Sequence, residues 1–318
     1  MTVINGLSNL YVGGVDLSGD AGVISKIDGG PGLLDVSTID TVGMKRITGR
    51  FDGSIDYSVY FNPTGAHAAL SVYPTVDAHV MVAIPATAGS IAAMLYARQV
   101  NYNAAIGKDL AASFTVQALA SQGFPLEMGQ IITAGKRTDT TATASGIGID
   151  LGIPIGVAAI TIDTSSVANP TVITTVDPHG LLTGDSVLIA GHTGSTPAVD
   201  GEYTVTYVSD TEFTIPVNVG TGGTGGTVQR TSHRGWAAQN QLFAGFAGTS
   251  VTVTVQDAHE NLAGSFANLT GGAFAATNAI GGERIASAAG IIRRYCRVKT
   301  TGVFTAATFA SGIWTKEG

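Results

Sequence analysis

The chain reads as mainly β: a large β-barrel or sandwich carrying one short helix, interrupted by a small inserted β-barrel-like module. Three observations predict this. In the run Val251–Gln256, Val251, Val253 and Val255 fall on one side and Thr252, Thr254 and Gln256 on the other, the period of a half-buried strand. Between Gly156 and Ser232, short strand patterns recur at regular spacing and are separated by turn signals such as Asn169-Pro170, Thr183-Gly184-Asp185 and Asp200-Gly201, as in a small barrel or sandwich. The composition, 44% hydrophobic but only 12% charged with 43 glycines among 318 residues, supplies a core while leaving few charges for a free surface.

Taken in order, residues 1–156 form the first part of the large domain. Ile55, Tyr57, Val59 and Phe61 alternate with Asp56, Ser58 and Tyr60, and Phe114 and Val116 lie opposite Thr115 and Gln117. One helix is expected, with Asn62 as N-cap, Pro63 at the first helical position and an Ala-rich run ending near Val72 before Pro74. Ile27 to Met44, with Gly29-Gly30-Pro31-Gly32, reads as a long flexible excursion. Ala78 to Ala97 lacks Asp, Glu, Lys and Arg, but Pro85 and Gly89 would break a spanning helix, so two buried strands around a turn are expected, in a soluble chain. The inserted module occupies 157–231. Its strands are expected at Ile160–Ile162, Thr171–Thr174, Ser186–Ile189, Tyr203–Val208 and Glu212–Val217. The large domain resumes at 232–318, where Ile291–Lys299 reads as a strand.

The net charge of −7 and pI near 5.2 argue against general nucleic-acid binding, which needs basic patches. Cys296 is the one cysteine, expected as a small buried hydrophobe, and no intrachain disulfide can form. Met1 to Val15 carries no charged side chain, so no signal-peptide pattern is visible. Asp257-Ala258-His259-Glu260-Asn261 reads as a polar loop, since neighbours on a strand point to opposite faces and no second His or Cys group has zinc spacing. Gly220–Thr227 lacks the Lys-Ser/Thr ending of a phosphate loop and is expected as a flexible hairpin tip. Ser232, His233 and His179 supply Ser and His groups without a nucleophile elbow. No catalytic residue, cofactor or metal is expected.

The succession Val251–Gln256, Asn268–Phe274, Glu283–Ala286, Ile291–Lys299 and Thr300–Phe304 resembles the C-terminal part of the major tail tube proteins of long-tailed bacteriophages. Gly135–Arg137, Gly146–Gly152 and Trp236–Ser250 resemble the middle of such proteins, so the resemblance covers most of 1–152 and 234–318. Asp177–Asp185, Gly191–Gly194 and Asp210–Ile215 resemble a small β-module that recurs in phage tail and baseplate proteins. The resemblance implies a structural virion protein of the tail, made in the host cytoplasm. Its subunits would form hexameric rings stacked into a tube, with tape measure, tail terminator and baseplate or tail-tip proteins as partners, and DNA passing through the lumen without tight binding during ejection.

Arg293, Arg294, Arg297 and Lys299 form the densest basic run. They read either as a phosphate-binding strand or, preferred here because the chain is acidic overall, as contacts to acidic residues of a neighbouring subunit. A second functional reading is a virion decoration or host-adhesion protein that binds glycan through the module, with His192, Tyr203 and Tyr207 lining the site. An enzyme is the least supported class.

Overall fold

A computed structural model describes residues 9–35, 46–73, 76–106 and 112–316. The first part holds β1 (Asn9–Val12), β2 (Val15–Asp16), β3 (Ala21–Asp35), β4 (Arg46–Tyr60), helix α1 (Ala66–Leu70), β5 (Asp77–Ile84), β6 (Ile91–Ile106), β7 (Ala112–Ala120), β8 (Glu127–Ile131), β9 (Arg137–Asp139) and β10 (Ile149–Asp150). The middle holds β11 (Ile160–Ser165), β12 (Thr171–Thr175), β13 (Ser186–Ala190), β14 (Gly201–Thr204), β15 (Thr206–Ser209), β16 (Glu212–Ile215) and β17 (Thr227–Arg230). The last part holds β18 (His233–Leu242), β19 (Ala247–Ala258), β20 (Ala267–Ala273), β21 (Gly281–Ile292) and β22 (Tyr295–Thr315). The protein is mainly β, as the sequence predicts.

Two sheets divide these strands. The larger, with 15 strands, runs β2-β1-β5-β6-β8-β22-β18-β21, with β7, β4 and β3 continuing from β6, and β19 and β20 from β22. Its organising member is β22, 21 residues and roughly 70 Å of extended chain. Tyr295 to Ala306 pair with β19, and Phe309 to Thr315 pair with β18, so one strand belongs to both halves. Three apolar clusters fill this body. One packs β4, β5, β6 and β7 around α1 (Ile55, Tyr57, Leu70, Val116), and one packs β18, β19 and β22 (Trp236, Val253, Val255, Phe309). The third joins them through Tyr11, Met81, Met94, Ile131 and Phe243. Fully buried Gln241 stitches the same seam: its Oε1 accepts the Gly14 N–H at 3.0 Å, and its Nε2 donates to the His79 carbonyl at 3.2 Å.

The alternation at Val251–Gln256 appears as β19, with Val251, Val253 and Val255 buried. The two strands expected in Ala78–Ala97 are β5 and part of β6. The helix is shorter than expected. Asn62 caps a turn, its Oδ1 accepting the Gly65 N–H at 3.1 Å, and the helix begins only at Ala66, whose N–H is taken by Asp20 Oδ2 at 3.1 Å. The expected excursion is also corrected. Residues 27–35 belong to β3, in register with β4 from Ile27↔Ile55 to Asp35↔Arg46, while 36–44 lie outside the described residues. Glycine serves packing there, because a Cβ on Gly29 or Gly53 would stand 2.6–2.8 Å from Leu126 atoms.

The second sheet has seven strands in the order β14-β13-β17-β11-β12-β16-β15. Its two end strands are joined by the single residue Val205, so the sheet has to curl until its edges meet. Buried Val205 splits the strand expected over Tyr203–Val208, and Ile162, Ile173, Val187, Phe213 and Val228 fill the interior. The strand β17 was not visible in the sequence pattern. Gly220–Thr227 is not a loose tip: Thr221 bridges Thr196, and Thr224 bridges both Thr164 and Thr193.

His79 on β5 packs at a tilt against Tyr96, ring centroids 4.5 Å apart, and feels the Arg284 charge. Burial first, and the Arg284 charge second, bring its pKa from 6.5 down to about 4. An unfolded chain therefore takes up this proton near pH 6.5, whereas the folded chain waits until about pH 4. The contribution is complete above pH 6.5 and is lost as pH falls through that window, by up to about 3 kcal/mol. Chemical denaturation between pH 7 and 4 is expected to show a shallower loss in His79→Gln than in the wild type; parallel curves would refute this assignment.

Candidate functional site

The basic run is not one strand. Ile292 ends β21, Arg293 and Arg294 make the turn, and β22 begins at Tyr295. Cys296 and Val298 point into the core, as expected for the strand's apolar side. Burial raises the Cys296 thiol well above its ordinary value, which keeps it protonated and inert.

The three arginines have acceptors within the chain. Arg293 closes a fourfold clasp on Asp257: its N–H and Nε donate to Oδ2 at 2.8 and 3.1 Å, and Nη2 donates to Oδ1 at 2.8 Å and to the backbone carbonyl at 2.9 Å. Arg297 donates to Gln256 Oε1 at 2.9 Å and to the carbonyls of Ser145 and Gly146 at 2.7 Å, with its guanidinium 4.2 Å from the Phe266 ring centroid. Arg294 reaches Asp150 with Nε and Nη2 at 2.9 and 2.8 Å, and Glu202 with Nη1 at 2.9 Å. Lys299, half-buried on β22, has no side-chain partner among the described residues.

These surroundings divide the carboxylates. For Asp150, burial alone would raise the pKa, but the hydrogen bonds from Arg294 and the Gly152 N–H, with the Arg294 charge, bring it below its ordinary value. Glu202 stays above its ordinary value because burial, reinforced by Asp150 and Glu260, outweighs Arg294. Asp257 lies in β19 rather than in the expected polar loop. His259 and Glu260 follow the strand, and burial lowers the His259 pKa. No group of three or more metal-ligating side chains occurs among the described residues, and no described helix is long and apolar enough to cross a membrane.

The Ser and His groups singled out in the sequence are dispersed. Ser232 Oγ donates to Asp185, His233 Nε2 meets the Gly152 carbonyl at 3.2 Å, and His179 stands edge-on to Phe213. The pair that does form is Ser165–His192, at 2.9 Å and buried. Ser165 Oγ also accepts the Gly223 N–H, and His192 Nδ1 faces the Gly225 carbonyl at 2.7 Å, so the pair pins the glycine-rich run. That burial withdraws His192 from any glycan surface. Tyr203 packs on the module's core, and Tyr207 is open to solvent.

The remaining feature of functional interest is the sheet's margin. Two long strands, β3 and β21, each have one partner strand. The β3 edge is blunted by Pro31, which lacks an N–H, and by the exposed Lys26–Asp28 pair. By contrast, β21 carries no proline, although it holds Glu283 and Arg284 and its register with β18 shifts between Ser287 and Ile291, within a stretch of small residues from Ala286 to Gly290. Large apolar side chains stand exposed around the body, among them Phe51, Ile106, Ile147 and Val303.

No protein-family model and no curated protein matches the sequence. Among solved structures, the crystal structure of the SPP1 Dit (gp 19.1) protein, described as a paradigm of the hub adsorption apparatus in phages infecting Gram-positive hosts, aligns over 96% of this chain and 99% of its own, at 9% identity and a TM-score of 0.27. The phage p2 baseplate in its activated conformation with Sr aligns over 98% and 99%, at 8% identity and a TM-score of 0.26. At scores this low the alignments carry no argument about fold or role.

Removing Arg293 leaves the carboxylate of Asp257, only 4% exposed, buried without its counter-ion. Arg293→Ala is expected to cost about 3 kcal/mol, read as a fall in melting temperature, while Lys299→Ala changes stability by less than about 0.5 kcal/mol. Equal effects of the two substitutions would contradict the clasp.

Proposed function

We propose that this chain is a non-enzymatic structural protein of a phage virion, and within it a tail tube subunit that assembles with copies of itself into stacked rings. The observation that carries the reading is the β21 edge. It is a 12-residue strand paired on one side, free of proline, in a chain of which only 12% is charged. An open edge of this kind is a hazard in a monomer and a joining surface in an assembly, because a neighbouring strand completes its hydrogen bonds. Exposed apolar side chains on the body support the same reading, as does the resemblance of residues 1–152 and 234–318 to tail tube proteins. The partners it implies are other subunits first, then the tape measure, terminator and baseplate or tail-tip proteins. The net charge of −7 suits a channel along which DNA slides without adhering. Placement in the virion tail, after synthesis in the host cytoplasm, belongs to the same proposal.

Sedimentation velocity over a concentration series, with nuclease and chelator present, tests self-association. The wild type is expected to form large species. Ala286→Lys, which puts a charge at an exposed position of the edge strand, raises the concentration needed at least about tenfold with melting unchanged. A wild type that stays monomeric at high concentration would overturn the proposal.

Deleting Val157 to Thr231 is a separate test. His233 Nε2 lies 3.2 Å from the Gly152 carbonyl, so entry and exit of the module run side by side and a short loop can replace it. Electron microscopy is expected to show tubes of unchanged bore and smaller outer diameter. Soluble, assembly-dead subunits would instead assign the module a role in ring or stacking contacts.

A further inference from the structure

The small barrel and the body have separate cores. The cluster around Ile162, Ile173 and Phe213 contains no residue of the body, and the body's clusters contain none of the barrel. Two groups of polar contacts join them. The first lies at the chain connections. Fully buried Asp185 accepts the Ser232 hydroxyl at 2.8 Å and the Leu182 N–H at 2.8 Å, and it pairs with Arg234, which also donates to the Gly180 carbonyl at 2.9 Å. The second lies far away in sequence, where Arg294 of the body bridges Asp150 and Glu202 on β14.

Between these groups the entering connection turns at two glycines on either side of the buried Pro154. Gly152 and Gly156 have φ of +81° and +82°, values that other residues rarely adopt, and a Cβ on either would meet nothing within 4 Å. Ile155 between them is 83% exposed.

We propose that the joint is a pivot with a releasable latch: the barrel turns at Gly152 and Gly156 about the Asp185–Ser232–Arg234 cluster, and the bridge from Arg294 to Glu202 holds the barrel at one angle to the body. A joint without a shared apolar core moves unless something fixes it. The two-nitrogen grip on Asp150 fixes the plane of the Arg294 guanidinium, which aims its third nitrogen at Glu202. The side chains of Arg294 and Glu202 are 21% and 17% exposed, so salt screens their ion pair only in part, and a competing carboxylate or loss of the guanidinium is what releases it. Burial keeps Glu202 above its ordinary pKa even with Arg294 present, which fits a contact held without excess strength. At the pivot, Asp185 is wholly enclosed. None of this depends on the tail reading.

Hydrogen exchange by mass spectrometry on the full chain, paired with small-angle scattering, tests the proposal. In Arg294→Ala, amides from Gly152 to Ala159 are expected to exchange about fivefold faster or more, with a larger radius of gyration and with β12 and β13 as protected as in the wild type. High salt on the wild type should have only a small effect in the same direction, and Arg294→Lys should fall between wild type and Arg294→Ala. Unchanged exchange and scattering in Arg294→Ala would overturn the latch. So would a joint loss of protection in β12, β13 and β22, because Arg294 would then belong to one cooperative fold rather than to a joint.

Discussion

The register of β22 is the constraint on which the body depends. This strand pairs with β19 along its first half and with β18 along its second, and it also takes up β8, β9 and β10. Strand side chains alternate with a period of two, so a slip of one residue would turn Cys296, Val298, Phe309 and Ile313 out of the core together. The Arg293–Asp257 clasp sits at the start of that register, where β21 turns into β22, and fixes the turn against β19. A cation that sequence reasoning assigned to a neighbouring subunit has its acceptors inside the fold.

That use of charge bears on the surface. Arg284 with Glu127, Arg293 with Asp257 and Arg234 with Asp185 are largely buried pairs that tie distant segments together. A chain already poor in charge thus places several of its charges inside, and what remains outside includes exposed apolar side chains and a sheet edge without proline. For a protein that lives alone these are liabilities. For one that is covered by its own copies they are the means of assembly.

Much of the fold was legible in the sequence, and the exceptions share a cause. Val251–Gln256 declared itself because alternation is local, and β5 and β6 because Pro85 and Gly89 break the run between them. Gly29-Gly30-Pro31-Gly32 looked like a loop because the reason for its glycines, the approach of Leu126, lies nearly a hundred residues away. Gly220–Thr227 looked loose for a similar reason: Ser165 and His192 hold it, and neither is near it in sequence. At the candidate site, the residue types of the basic run were evident, but the turn at Arg293–Arg294 and the acceptors Asp257, Asp150 and Glu202 were not. Periodicity reports the face on which a residue lies, whereas the partner it meets there is set by tertiary pairing.

The central claim is that an incomplete sheet is completed by other copies of the same chain, and electron cryomicroscopy of the concentrated, nucleic-acid-free protein tests it most directly. The account predicts hollow rings or tubes in which the free edge of β21 hydrogen-bonds to a strand of the adjacent subunit. Particles that remain single subunits, or assemblies in which the β21 edge faces solvent, would contradict it.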